Sequence, residues 1–192
     1  MSLRPLLAAS TLFAFGAVAG SLLDALHTHS GTTEYAHVSF FAMSAWTPLI
    51  FGLVGLAVGA SYPVAQRLTG RSPGKALTWA QAWLGFAIFA ALYAASAYLP
   101  ATNLAKLAVL ALGAAVLFLW LAPTRVALLL ALTAAAAGTL SEAALVHAGF
   151  FRYTRPDLLG VAMWLPALYA AGSVAFGGVG YKVTARFTRP QA

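Results

Sequence analysis

Glu142 is the acid set well inside an apolar segment of this 192-residue chain. A carboxyl within hydrocarbon is costly to charge, so its position marks a candidate functional group, in the first instance a proton carrier. It stands about two helical turns from the outer end of its segment, with Ser141, His147 or water as possible partners. His147 is five residues on and does not share its face closely. A second group, His27-Thr28-His29 with Asp24 and His37, has the residue types of a zinc site. Its spacing is no zinc signature, and it reads better as a polar outer loop. The sequence has no Gly-rich phosphate loop, no H-E-x-x-H, no G-x-S-x-G and no carboxylates paired at working distance by their spacing. There are no cysteines, which removes disulfides, thiolate metal sites and cysteine nucleophiles. Nothing reads as an enzyme, and the isolated polar groups do not form a charge-driven transport path. The densest constellation is a polar turn, Tyr153-Thr154-Arg155-Pro156-Asp157, followed by Trp164-Leu165-Pro166 and a ladder of glycines up to Gly180.

These residues must be positioned by membrane-spanning elements. The chain is 61% hydrophobic and 8% charged, with a mean hydropathy of +0.84. A soluble domain carries about 25% charged residues. In hydrocarbon every backbone polar group must be paired internally, which leaves helices or closed barrels. The apolar runs are Ala/Leu-rich and ~18–25 residues long, which selects helices. The expected fold is all-α, a single polytopic bundle of six transmembrane helices over residues 1–192, with spans near 5–24, 38–62, 78–99, 104–121, 126–148 and 159–182. The first segment shares features with a signal peptide, namely Arg4, an apolar run and the small residues Ala17-Val18-Ala19-Gly20; it is read as a span.

Charge sets the expected orientation. Arg4, Arg67, Arg71, Lys75, Arg125, Lys182, Arg186 and Arg189 fall on one side, and Lys106, Arg152 and Arg155 on the other. Both termini and the 63–77 loop are therefore expected in the cytoplasm. Asp24, Glu34 and Asp157 gather at the far face, with Asp157 offsetting Arg152 or Arg155 in its own loop. The +7 net charge is scattered over segment ends without a basic stripe, which argues against nucleic acid and for contacts with anionic lipid.

Pro48 in span two and Pro166 in span six are expected to kink their helices and open a cavity. Gly52, Gly55 and Gly59, and Gly172, Gly177, Gly178 and Gly180 with Ala175, read as close-packing faces. Trp79 and Trp120 fit an interfacial belt. Trp46 and Trp164, each two residues before one of these prolines, fit either the belt or a cavity lining.

The six-span pattern and the 151–180 stretch resemble the Insig (insulin-induced gene) family. The family hallmark runs Gly, two residues, Gln, Tyr-Thr, Ser-Pro-Asp-Phe and then Ser-Trp-Leu-Pro. This chain has Gly149, Arg152, Tyr153-Thr154, Arg155-Pro156-Asp157-Leu158 and Met163-Trp164-Leu165-Pro166. Upstream, Ser44-Ala45-Trp46 with Pro48, and Gly59 with Tyr62-Pro63 and Gly70, look like further family segments. Trp79 and Phe89 keep a family spacing. The likeness covers about residues 38–182.

Insig proteins are six-span endoplasmic-reticulum proteins that bind oxysterols and restrain sterol synthesis. The resemblance implies a lipid-binding cavity among the spans, with Phe89 matching a sterol-touching aromatic and Trp120 matching the Trp that ends span four. Lys106 stands where the family has Gln. Ala122-Pro123-Thr124-Arg125 replaces Asp-Arg-Ser-Arg, so the acid that serves partner binding in the family has no counterpart. The Ala-rich, cysteine-free character suggests a bacterial homologue in the cytoplasmic membrane, using the cavity for a sterol-like lipid or a neutral glycerolipid such as diacylglycerol. The expected lipid-binding residues are Trp46, Thr47, Pro48, Phe89, Lys106, Trp120, Glu142 and Trp164. No cofactor is expected besides a bound lipid. The expected partners are membrane lipid, a membrane protein and a second copy of the chain. Two other readings stand beside this one: a lipid-modifying enzyme or transporter built on Glu142, and a tryptophan-rich porphyrin or sterol binder of the five-span translocator type, suggested by Trp46-Thr47-Pro48.

Overall fold

The computed structural model describes residues 3–188; Arg189, one of the charges assigned to the cytoplasmic face, lies outside them. The elements are α1 (Leu3–His29), β1 (Thr33–Tyr35), α2 (Thr47–Thr69), α3 (Trp79–Tyr98), α4 (Asn103–Leu121), α5 (Arg125–His147), β2 (Phe151–Tyr153) and α6 (Leu165–Thr188). By length and composition α1 to α5 can each cross a bilayer. The sixth helix, α6, packs against all five others. A helix enclosed by protein needs small residues more than lipid-facing ones, which explains its Gly and Ala content. A Cβ at Gly177 would strike the Tyr62 ring, and one at Gly180 would strike the backbone of Gly59.

Local chemistry starts each middle helix. Thr78 and Gln81 form a capping box at α3, with Gln81 N donating to Thr78 Oγ1 at 3.2 Å. Thr102 and Thr124 cap α4 and α5 by accepting from Ala105 N and Ala127 N. Gly70, at φ +66°, ends α2.

Pro48 and Pro166 correct the expectation of mid-span kinks. Each stands in the first turn of its helix, where the missing N–H costs nothing. Spans two and six accordingly begin later than their hydropathy suggests, at Thr47 and Leu165. The proline inside a helix is Pro63, in α2. Span one in turn runs on to His29, so Asp24 and His27 are buried helix residues rather than members of an outer loop.

The chain contains an internal repeat that is barely visible in its sequence. β1 and β2 pair antiparallel, with Glu34 opposite Arg152 at a sequence separation of 118, flanked by Thr33↔Tyr153 and Tyr35↔Phe151. At this same offset His29 maps on His147, Gly31 on Gly149, Tyr35 on Tyr153, Trp46 on Trp164 and Pro48 on Pro166. Gly31 and Gly149 both have positive φ, at 71° and 79°. The turns match as well. Phe41 and Ala42 both have φ above zero between the bridged residues Phe40 and Met43. Leu159 and Gly160 do the same between Leu158 and Val161, as in a type I′ turn. The units α1-β1-turn-α2 and α5-β2-turn-α6 thus share one architecture about a pseudo-two-fold axis through Glu34 and Arg152. Helices α1 and α5 both end at the sheet and α2 and α6 both start from it, so the axis runs along the bundle. The α3–α4 hairpin packs on α6 and makes that half the interior one.

Candidate functional site

An apolar cavity lies between α1, α2, α3 and α6. Its narrow wall is set by Gly16 on α1 and Gly55 on α2, where a Cβ on Gly16 would come within 2.7 Å of Gly55 Cα. Phe89 and Tyr93 enter from α3, Tyr169 and Phe176 from α6, and Glu142 from α5. A second chamber adjoins it toward the β-sheet, sharing Phe51, Val54, Tyr93, Glu142 and Tyr169 in its wall.

Glu142 takes neither Ser141 nor His147 as partner. Ser141 Oγ donates to Gly138 O, and His147 Nδ1 lies 2.7 Å from Ala143 O. Tyr153 donates to Glu142 Oε2 at 2.5 Å and Tyr169 donates to Oε1 at 2.6 Å. Asp24 repeats the arrangement in the other half, accepting from Tyr35 at 2.8 Å. Both acids line the second chamber. The sequence reading finds no paired carboxylates; the fold brings these two, 118 positions apart, to one chamber. Burial, and then the neighbouring acid, push both the Tyr35 and the Tyr153 phenol upward, so each remains an O–H donor at neutral pH.

The polar turn works as a clamp at the sheet end of the bundle. Trp164 Nε1 donates to Asn103 Oδ1 at 3.1 Å, and Asn103 Nδ2 donates to Asp157 Oδ2 at 2.8 Å. Asp157 Oδ1 accepts from Met163 N, and Thr154 Oγ1 donates to Gly31 O. This corrects the expected pairing of Asp157 with an arginine. Arg152 instead meets Glu34 across the sheet at 2.5 Å. Pro156 lies in the same turn, and Pro166 opens α6 behind it.

The expected lipid-binding residues separate into groups. Phe89 and Glu142 line the main cavity, while Trp46 lines the second chamber with Glu142. Lys106 and Trp164 border a polar basin at the sheet end of the bundle, where Lys106 Nζ donates to Ser96 O at 2.6 Å. Thr47 is fully buried beside Pro48 in the first turn of α2. Trp120 packs partly buried against the hydrophobic core. Trp79 lies under the Lys182 ammonium, 5.5 Å from ring centroid to Nζ. His27 is buried, with Nε2 2.7 Å from Ser96 Oγ and its ring stacked on Tyr93. Among the described residues no three His, Asp or Glu side chains gather as a metal site. The sequence reading missed Asp24, Tyr35, Tyr153 and Tyr169 as one polar system; their signal was the repeat itself.

The model of the insulin-induced protein (INSIG) family matches residues 7–184. The insulin-induced gene 1 proteins of Danio rerio and Rattus norvegicus are each 32% identical over 174 residues, 88% of this chain and 69% and 67% of theirs. The crystal structure of the mycobacterial Insig homolog MvINS from Mycobacterium vanbaalenii superposes with a TM-score of 0.81 at 30% identity, covering 96% of this chain and 97% of that one. With its six-helix bundle and this match along nearly all its length, the chain belongs to the Insig family of integral membrane proteins.

Proposed function

We propose that this protein is a non-enzymatic lipid-binding module that holds a sterol-like lipid or a neutral glycerolipid, such as a diacylglycerol, in the cavity between α1, α2, α3 and α6, and acts as a sensor or regulator. The observation that carries the reading is the cavity itself: apolar, with Phe89 in its wall and, at one end, a second chamber that holds the carboxyl groups of Asp24 and Glu142. The apolar lining of the first part suits a lipid chain, and the acids of the second suit a polar end. Family membership supports a regulatory role. The reading places the protein in a bacterial cytoplasmic membrane with both termini in the cytoplasm. Self-association is part of it, in line with the cross-linked trimer in which a variant of MvINS was crystallised. An enzyme or transporter centred on Glu142 is less well supported, because tyrosine hydroxyls hold both of its carboxyl oxygens. The translocator reading has less support than the Insig family, whose model matches residues 7–184.

The test is mass spectrometry of lipids that co-purify with the protein, beside a Phe89→Ala, Trp46→Ala double variant. One lipid class enriched in the wild type and lost in the variant is the expected result. Bulk-membrane composition in both would refute the reading.

A further inference from the structure

The two halves differ at one informative place. Tyr169, which donates to the second oxygen of Glu142, maps by the repeat offset on Phe51 in the other half. Phe51 lines the second chamber but has no hydroxyl, so no donor reaches the second oxygen of Asp24 among the described residues. In the same wall the Thr33 hydroxyl, on a residue only 3% exposed, has no hydrogen-bond partner. A buried polar group without a partner is costly unless something fills the gap. Among the described residues no lysine or arginine reaches Asp24 or Glu142, and the nearby His27 Nε2 is engaged with Ser96. Tyr35, Trp46 and Tyr93 line the same chamber. Aromatic faces attract a cation, and a carboxylate takes its N–H donors in short, charge-assisted bonds.

We propose that the second chamber is a site for an alkylammonium head group, with Asp24 and Thr33 accepting its N–H donors, aromatic rings around it and its alkyl chain directed into the apolar cavity. The proposal borrows from the lipid-cavity reading only the space for the chain; it assigns a ligand chemistry that a neutral lipid does not have. Three donors on a primary ammonium suit the open Asp24 oxygen and Thr33 Oγ1, whereas an alcohol brings one donor and no charge.

The test uses the full chain in detergent, titrated calorimetrically with hexylamine and with 1-hexanol against matched micelle blanks. Hexylamine is expected to bind about tenfold or more tightly than hexanol, since only it carries the charge. Asp24→Asn should remove that preference. Phe51→Tyr gives Asp24 the hydroxyl that Glu142 already has, so it should weaken hexylamine about tenfold in a protein that folds normally. Equal affinities for amine and alcohol in the wild type, or undiminished amine binding in Phe51→Tyr, would overturn the proposal. Co-purified lipid is measured on the same samples. A retained neutral lipid without amine preference sinks this proposal alone. Amine binding in a protein that retains no specific lipid sinks the lipid-cavity reading alone.

Discussion

Replacing Gly55 with alanine tests whether the contact of α1 and α2 sets the shape of the cavity. The new Cβ would stand 2.5 Å from Gly16 Cα, with Leu12 O also close at 3.1 Å. All of this is backbone, so no side chain can rotate away. Ordinary contact begins near 3.4 Å, so the helices must part by about 0.9 Å. Overpacking of this kind costs about 1–3 kcal/mol, and an unyielding backbone puts it near the top of that range. Alanine's helix propensity returns about 1 kcal/mol. The net loss is about 2 kcal/mol, or a Tm lower by about 4–8 °C for a chain of this length. Gly113→Ala is the comparison: there the new Cβ meets the Leu92 side chain, which can rotate, rather than backbone, so the propensity gain offsets more of the clash and Tm falls less. Thermal unfolding in detergent, followed by circular dichroism, compares the two. Equal Tm values for Gly55→Ala and Gly113→Ala would refute the claim that these backbones touch. Because Gly16 and Gly55 also line the cavity, Gly55→Ala should lower lipid retention and Gly113→Ala should not.

Four further outcomes are expected. Ala42→Gly relieves a left-handed alanine at φ 57° and should stabilise by about 1 kcal/mol, while Gly160→Ala at the equivalent turn position should cost a similar amount; Tm reads both. A double-mutant cycle of Glu142→Gln with Tyr153→Phe should give a coupling of about 1.5–3 kcal/mol, and additive effects would deny the hydrogen bond. The Glu34–Arg152 pair is 49% and 74% exposed, so Arg152→Ala should cost under about 1 kcal/mol, and less at high salt. Because the Tyr35 and Tyr153 phenols are pushed upward, the folded chain keeps protons that the unfolded chain loses above about pH 10. Stability should therefore fall as pH rises past that point, and the fall should shrink in Tyr153→Phe, as read by chemical denaturation across pH.

Helix number and class were legible because apolar length is a strong signal: α3, α4 and α5 lie within a residue of their expected ends. Hydropathy was a poor guide where the backbone turns outside a helix. Residues 38–46 and 159–164 are apolar but form tight turns, so Pro48 and Pro166 looked internal and are in fact first-turn residues. Phe89, singled out by the resemblance, and Glu142, singled out as an acid inside a span, both line the main cavity. The partnership of Asp24 with Tyr35, and of Glu142 with Tyr153 and Tyr169, was not legible. It depends on the pairing of β1 with β2, two three-residue strands too short to carry a period. A repeat kept at few positions, such as Trp46 with Trp164, becomes evident only when the strand register fixes its offset.

Photo-crosslinking with a diazirine-bearing diacylglycerol, followed by peptide mapping, tests the central claim most directly. The account predicts that labels concentrate on cavity residues of α1, α2, α3 and α6, around Gly55, Phe89 and Phe176, and that unlabelled diacylglycerol competes them away. Labels confined to bundle-surface positions such as Leu112 and Leu129, indifferent to competitor, would contradict it.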